Sequence, residues 1–337
     1  MDRRRFVGLI PLLATGLARG NWNPELSGLR LRFLTEDPAF VDSRPCFSPD
    51  GSTVLFMRAP AGPDPVATGN ADNAPWSLWT VPVDGGAPAL FFEHREIRLT
   101  RPDWSPVTGR VAVSGVQGQV SHVYTLESGG SGLRRVPTHP GLDRLFYPSW
   151  FPDGRRLAVT DYRARQVLAV DVDEGSASSL SDPSVEAGMC SMAPVAAGRH
   201  VVAFAGQRPG GRGGVSGNSI WLQPPNERAV ALDDLHGRMP AWSPGEAWLA
   251  FMSTRPRPAP QTVLHGRRLP GGTATIFVVR HPGTPGAGPV TAVTPPDCEA
   301  AHAKWCPAGN RLVLMATEPR TGRRGIALLD VSAVAGR

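Results

Sequence analysis

Short apolar runs, some alternating with polar positions and some continuous, recur along the chain. Each follows the same phrase: an aromatic or apolar residue, Ser-Pro or a near equivalent, and a tight turn. The phrase reads Phe47-Ser48-Pro49-Asp50-Gly51, Trp104-Ser105-Pro106, Trp150-Phe151-Pro152-Asp153-Gly154, Trp242-Ser243-Pro244-Gly245 and Trp305-Cys306-Pro307-Ala308-Gly309, with a degraded copy at Val195-Ala196-Ala197-Gly198. The apolar runs that follow it, at 53–58, 110–115, 156–161, 200–206, 248–253 and 311–316, have the length and turn-bounded character of strands. A supersecondary unit repeating at roughly 40 to 60 residues predicts a propeller or solenoid.

Each copy lays out as four strands. Third strands are predicted at 77–83, 122–127, 166–172, 219–224, 275–280 and 325–331, and outer strands at 88–93, 133–137, 177–181, 228–233 and 289–294. The sixth copy reaches the end of the sequence before its outer strand. A spare strand at 29–35, with no blade of its own, is predicted to complete that blade, closing the ring and covering an edge that would otherwise invite aggregation. The expected fold is all-β: a six-bladed β-propeller of four-stranded blades, closed by an N-terminal strand.

Composition agrees. With 41% hydrophobic residues among 337, the chain can fill a sizeable core, and 38 glycines and 35 prolines supply turns and argue against long helices. The N-terminus reads differently. Asp2-Arg3-Arg4-Arg5-Phe6 precedes an apolar stretch over 7–18 and the small residues Ala18 and Gly20, the layout of an export signal. The paired arginines resemble a twin-arginine address; an ordinary secretory signal or an uncleaved anchor fits the same residues. The stretch is shorter than the ~20 apolar residues that span a bilayer. Residues 1–20 are therefore assigned as the signal, 21–28 as a linker and 29–337 as one propeller domain, with a periplasmic or otherwise exported location. Of the net charge of +6, three units come from this segment, where Arg3, Arg4, Arg5 and Arg19 outweigh Asp2. The remainder does not call for nucleic acid.

The recurring aromatics Phe47, Trp104, Trp150, Trp242 and Trp305 are expected to pack between adjacent blades, and the Asp-Gly turns to set hairpins. Cys46, Cys190, Cys298 and Cys306 permit two disulfides in an exported protein, Cys46 with Cys306 being one conceivable pair, or four buried thiols.

The run Arg44-Pro45-Cys46-Phe47-Ser48-Pro49-Asp50-Gly51 through Phe56, and Pro148-Ser149-Trp150-Phe151-Pro152-Asp153-Gly154, resemble the TolB-type β-propeller repeat. The resemblance extends over 30–331. It implies an exported, protein-binding propeller. No Gly-x-Ser-x-Gly elbow is present, which argues against a serine hydrolase.

The residue three before each recurring aromatic is expected at the start of an innermost strand, at the mouth of the central channel. That register gives Arg44, Arg101, Tyr147, Met192, Met239 and His302, and the preceding position adds Arg238. These seven are the candidate partner-binding residues. Arginine forks suit carboxylates and methionine adapts to apolar partners. Long connections over 59–76, 207–218 and 254–273 open on the same face and carry Arg208, Arg212, Arg255, Arg257, Arg267 and Arg268. They read either as a basic docking surface or as solvated arginines on Gly/Pro loops. The expected function is non-catalytic binding of a protein or peptide, an acidic one among the candidates, by a monomer without cofactor, metal, nucleic acid or mature membrane span. Some propeller enzymes, oligogalacturonide lyases among them, hold a metal with histidines near the channel. With His302, His236 and His139 on this face, the alternative is a metal-assisted lyase or hydrolase acting on acidic saccharides.

Overall fold

The structure, a computed structural model, describes residues 29, 31–61, 75–195, 202–210, 219–232, 237–254, 263–264, 267–268, 274–295, 298–318 and 320–335. The expected export signal and linker lie outside these residues, as do His236, Arg212, Arg255 and Arg257. No described helix is long and apolar enough to cross a membrane.

Six four-stranded antiparallel sheets follow one another along the chain, with a short two-stranded ladder between Val263–Leu264 and Arg267–Arg268. The inner strands are Phe40–Phe47, Arg98–Trp104, Leu145–Trp150, Glu186–Met192, Gly237–Trp242 and Glu299–Trp305. Each carries an irregularity at the same place: two residues interrupt the pairing with the second strand, at positions 44–45, 101–102, 147–148, 188–189, 239–240 and 302–303. Such bulges bend a strand and re-aim its side chains.

The ring is closed as the sequence predicts. Leu31–Phe33 pairs antiparallel with the last strand, Arg323–Asp330, putting Leu31 opposite Leu329, Arg32 opposite Leu328 and Phe33 opposite Ala327. The core is divided among the junctions. Six buried clusters each join two neighbouring blades; one combines Phe47 and Phe56 of the first blade with Leu34 of the closing segment and Val313, Ile326 and Leu328 of the last blade.

The repeated phrase has a mechanical explanation. The serine hydroxyl after the aromatic accepts a backbone N–H five residues on, Thr53 N to Ser48 Oγ at 3.0 Å and Trp248 N to Ser243 Oγ at 2.9 Å, holding the turn. Gly51 at φ 73° supplies the left-handed turn residue. Ser48 and then the Ser52 backbone and side chain hold Asp50 at about 2, an ionised turn carboxylate. In the last blade Cys306 replaces the serine, and its Sγ accepts from Arg311 N at 3.3 Å. All four cysteines are buried and none forms a disulfide, so the conceivable Cys46–Cys306 bridge is not formed. The aromatics brace neighbouring blades, Trp150 Nε1 donating to Asp103 O at 3.1 Å and Trp305 Nε1 to Ala241 O at 3.0 Å.

Candidate functional site

The bulges bring one residue per blade to the channel mouth. Arg44, Arg101, Tyr147, Met239 and His302 all adopt left-handed backbone, with φ of 51°, 58°, 56°, 54° and 57°. They line one cavity of about 60 Å³ with their following prolines Pro45, Pro102, Pro148 and Pro240. Non-glycine residues enter this conformation rarely and at a cost on the order of 1–3 kcal/mol each.

Two sequence-derived positions differ. Met192 is not at the mouth. In the fourth blade the bulge falls at Gly188 and Met189, so Gly188 is the counterpart of Arg44 and Met189 lines the cavity. The shift of four residues has a clear cause: the position that is aromatic in the other blades is Ser191 here. The connection to the second strand, Val202–Gln207, is also longer, so Val195 was a false marker. Met192 lines the chamber at the opposite end instead. Arg238 precedes its blade's bulge, pairs with Met252, is half-buried and lies outside the cavity lining.

The mouth is organised around Arg101. Its guanidinium carbon lies 4.8 Å from the Phe146 ring centroid and 4.4 Å from that of Tyr147. Tyr147 stacks on Tyr162 at 6.2 Å, and burial followed by the neighbouring Tyr147 holds the Tyr162 phenol well above the usual tyrosine range. Arg44 Nη1 donates to Thr100 Oγ1 at 3.3 Å. Both arginines are thereby set at the entrance in defined poses. Arg208 lies over the Trp221 ring at 5.5 Å, which ties its guanidinium to the fourth blade.

The waist of the channel holds a residue that the sequence reading does not single out. Lys304, the only lysine in the sequence, lines both the mouth cavity and the opposite chamber. Its Nζ lies 2.8 Å from Asp103 Oδ1, joining the sixth blade to the second, while Asp103 Oδ2 accepts from Trp150 N at 2.9 Å. Withdrawal from water works against the ammonium, but Asp103 outweighs it and the Lys304 pKa sits above its ordinary value. Cys46 and Cys190 occupy the positions equivalent to Lys304 in their blades. Burial, the largest cause for each, pushes both thiols up to about 12 and keeps them protonated and unreactive. A lone lysine among many arginines, immediately before a repeat aromatic, was the available signal.

His302 sits between these cations. Withdrawal from water, then repulsion from Arg44, Arg101 and Lys304, holds its imidazole well below the usual histidine range. A depressed histidine pKa favours the neutral folded form, so its stabilisation is complete above the unfolded value near 6.5 and is lost as pH falls below it. Between pH 6.5 and 5 we expect stability to fall by at most about 1.4 kcal/mol per pH unit from this group. Chemical denaturation of the protein and of His302→Gln measures it; an unchanged pH slope in the variant contradicts this account. His139 lies apart, exposed, its Nδ1 accepting from Gly141 N at 3.1 Å. Among the described residues no three His, Cys, Asp or Glu side chains gather as a metal site.

No protein-family model and no curated protein matches the chain. Solved structures do. A putative TolB from Agrobacterium tumefaciens aligns with a TM-score of 0.58 at 17% identity, over 89% of this chain and 98% of that one. TolB from Acinetobacter baumannii aligns at 0.50 and 14%, over 87% and 80%. An oligogalacturonate lyase in complex with manganese aligns at 0.52 and 14%, over 88% and 80%. At these identities the likeness is one of fold: the chain is a six-bladed β-propeller similar in architecture to the TolB-type propellers.

Proposed function

We propose that this chain is an exported, non-catalytic propeller that captures a protein or peptide partner at the Arg44–Arg101 mouth. The observation that carries the reading is the ring of left-handed residues there. Glycine would adopt that conformation without strain, yet five blades place arginine, tyrosine, methionine or histidine in it. Strain of this kind concentrates at functional sites. The cavity, about 60 Å³, has room for the tip of a side chain or chain end rather than for a whole substrate. Guanidinium forks beside aromatic and thioether surface suit an acidic tip carried on an apolar segment. The residues at 1–20 support export, and the likeness to TolB supports the class of scaffold.

The test is capture by cross-linking in the cell envelope, with Arg44→Glu/Arg101→Glu as the control. We expect the paired charge reversal to weaken capture at least tenfold while the melting temperature stays within a few degrees. Undiminished capture by the folded variant contradicts the proposed mouth.

A second reading, a metal-assisted lyase on acidic saccharides, draws on His302, whose neutral imidazole is the ligand-competent form. A stoichiometric transition metal in the purified protein, together with a loss of that metal in His302→Gln, would favour it.

A further inference from the structure

The larger opening of the channel is at the other end. On the face of the turns between inner and second strands lies a chamber of about 410 Å³, within the range of roughly 300–1,000 Å³ typical of small-molecule sites. Counting from the bulges, one equivalent position per blade surrounds it: Phe47, Trp104, Trp150, Ser191, Trp242 and Trp305. Most of each ring is buried in a blade junction, leaving an edge on the chamber, as in Trp150 at 5% and Trp305 at 8% exposure. The fourth blade breaks the series, with Ser191 lining the wall where a ring would stand.

The floor of this mainly apolar chamber carries an ion pair, Lys304 with Asp103, both of which line it. Lys304 has three N–H donors and gives one to Asp103, its sole hydrogen-bond partner among the described residues. Asp103 is engaged from both sides, by Lys304 and by the Trp150 N–H. Two donors of a single ammonium therefore remain where the two cavities meet. A mainly apolar pocket whose base carries an ion pair with donors left on the ammonium can hold an anion's head by those donors, on the side of Lys304 away from Asp103, and accommodate its body by contact.

We propose that the chamber binds a small carboxylic acid with a compact ring-containing apolar body, the carboxylate on Lys304 and the body against the aromatic edges and the Ser191 gap. The inference is independent of the partner reading at the mouth, because the two cavities open on opposite ends and share only Lys304.

The experiment uses the purified chain and naphthalene-2-carboxylate, with naphthalene-2-carboxamide as its neutral counterpart. Calorimetry gives the affinities, and the single lysine yields one side-chain ¹⁵N signal that reports contact at the floor. We expect one acid per chain, bound at least tenfold more tightly than the amide, with a shift of the lysine signal on addition of the acid. Ser191→Trp, which fills the gap, should weaken the acid at least tenfold. Lys304→Met/Asp103→Leu, which removes the ion pair without stranding the carboxylate, should bring it to the level of the amide. Equal affinity for acid and amide, an unmoved lysine signal, or full binding in folded Ser191→Trp overturns the proposal. If either variant fails to fold, the comparison of acid with amide on the unaltered protein still decides.

Discussion

A chain shortened to begin at Glu36 should melt lower by about 10 °C or more, and a large part of that loss should be reproduced by Gly325→Ala. The shortened chain lacks the pairing of Leu31–Phe33 with the last strand. It also loses the bond from Leu34 N to Ile326 O at 2.8 Å, and that from Ile326 N to Thr35 Oγ1 at 2.9 Å. Leu34, 9% exposed in the cluster between the last and first blades, goes with them. At about 1 kcal/mol net per hydrogen bond and about 2 kcal/mol for the leucine, the loss reaches several kcal/mol, each worth about 2 °C in a chain of this size. Gly325 acts from the other side of the same contact. A Cβ there would stand 1.9 Å from the Thr35 carbonyl oxygen, so alanine must push the closing segment away. The backbone part of the cost, from alanine at φ 156°, persists in the shortened chain, whereas the part due to the Thr35 clash vanishes there, so the two changes should be clearly less than additive. Calorimetry of the four proteins checks this, and full additivity would contradict closure through this contact.

The second large effect is expected from Asp42→Ala, a loss of about 3–5 kcal/mol. Asp42 and Arg58 face each other across the first two strands of the first blade, with Oδ1 to Nε and Oδ2 to Nη2 both at 2.7 Å. The side chains are only 3% and 6% exposed. The guanidinium carbon is also 4.7 Å from the Phe40 ring centroid, 5.3 Å from Phe56 and 5.2 Å from Trp79. Removing the carboxylate leaves a charge buried among aromatic rings, whereas removing both charges does not. Asp42→Leu/Arg58→Met should therefore recover most of the stability, and Arg58→Lys should not replace the arginine, because lysine cannot form the two-pronged pair. Denaturant titration at pH 7 measures all three; equal losses in the single and double variants would refute this account of the pair.

Much of the fold was legible because its cause is local and repeated. Five of six inner strands announce themselves through an aromatic followed within two residues by proline, three of them with Ser-Pro, and at Ser48 and Ser243 the hydroxyl caps the next strand; the closing strand was visible as a piece left over at one end and missing at the other. The fourth blade was misread where its aromatic became Ser191, which moved the predicted mouth residue from Gly188 to Met192. The candidate site was legible by the same counting in Arg44, Arg101, Tyr147, Met239 and His302. Their shared left-handed backbone was not, since nothing in an arginine or methionine signals it. The Lys304–Asp103 pair links positions 201 residues apart in sequence and follows only from ring closure.

The central functional claim is that the partner docks at the mouth and not at the opposite face. It is tested most directly by a photo-cross-linking amino acid placed in the protein, produced in its own cells, at Tyr147 or at Val107. Tyr147 lines the mouth, and Val107, 64% exposed, borders the opposite chamber. The account predicts a discrete protein adduct from position 147, abolished by Arg44→Glu/Arg101→Glu, and none from position 107. Adducts from 107 alone, or an adduct at 147 that survives the charge reversal, would contradict it.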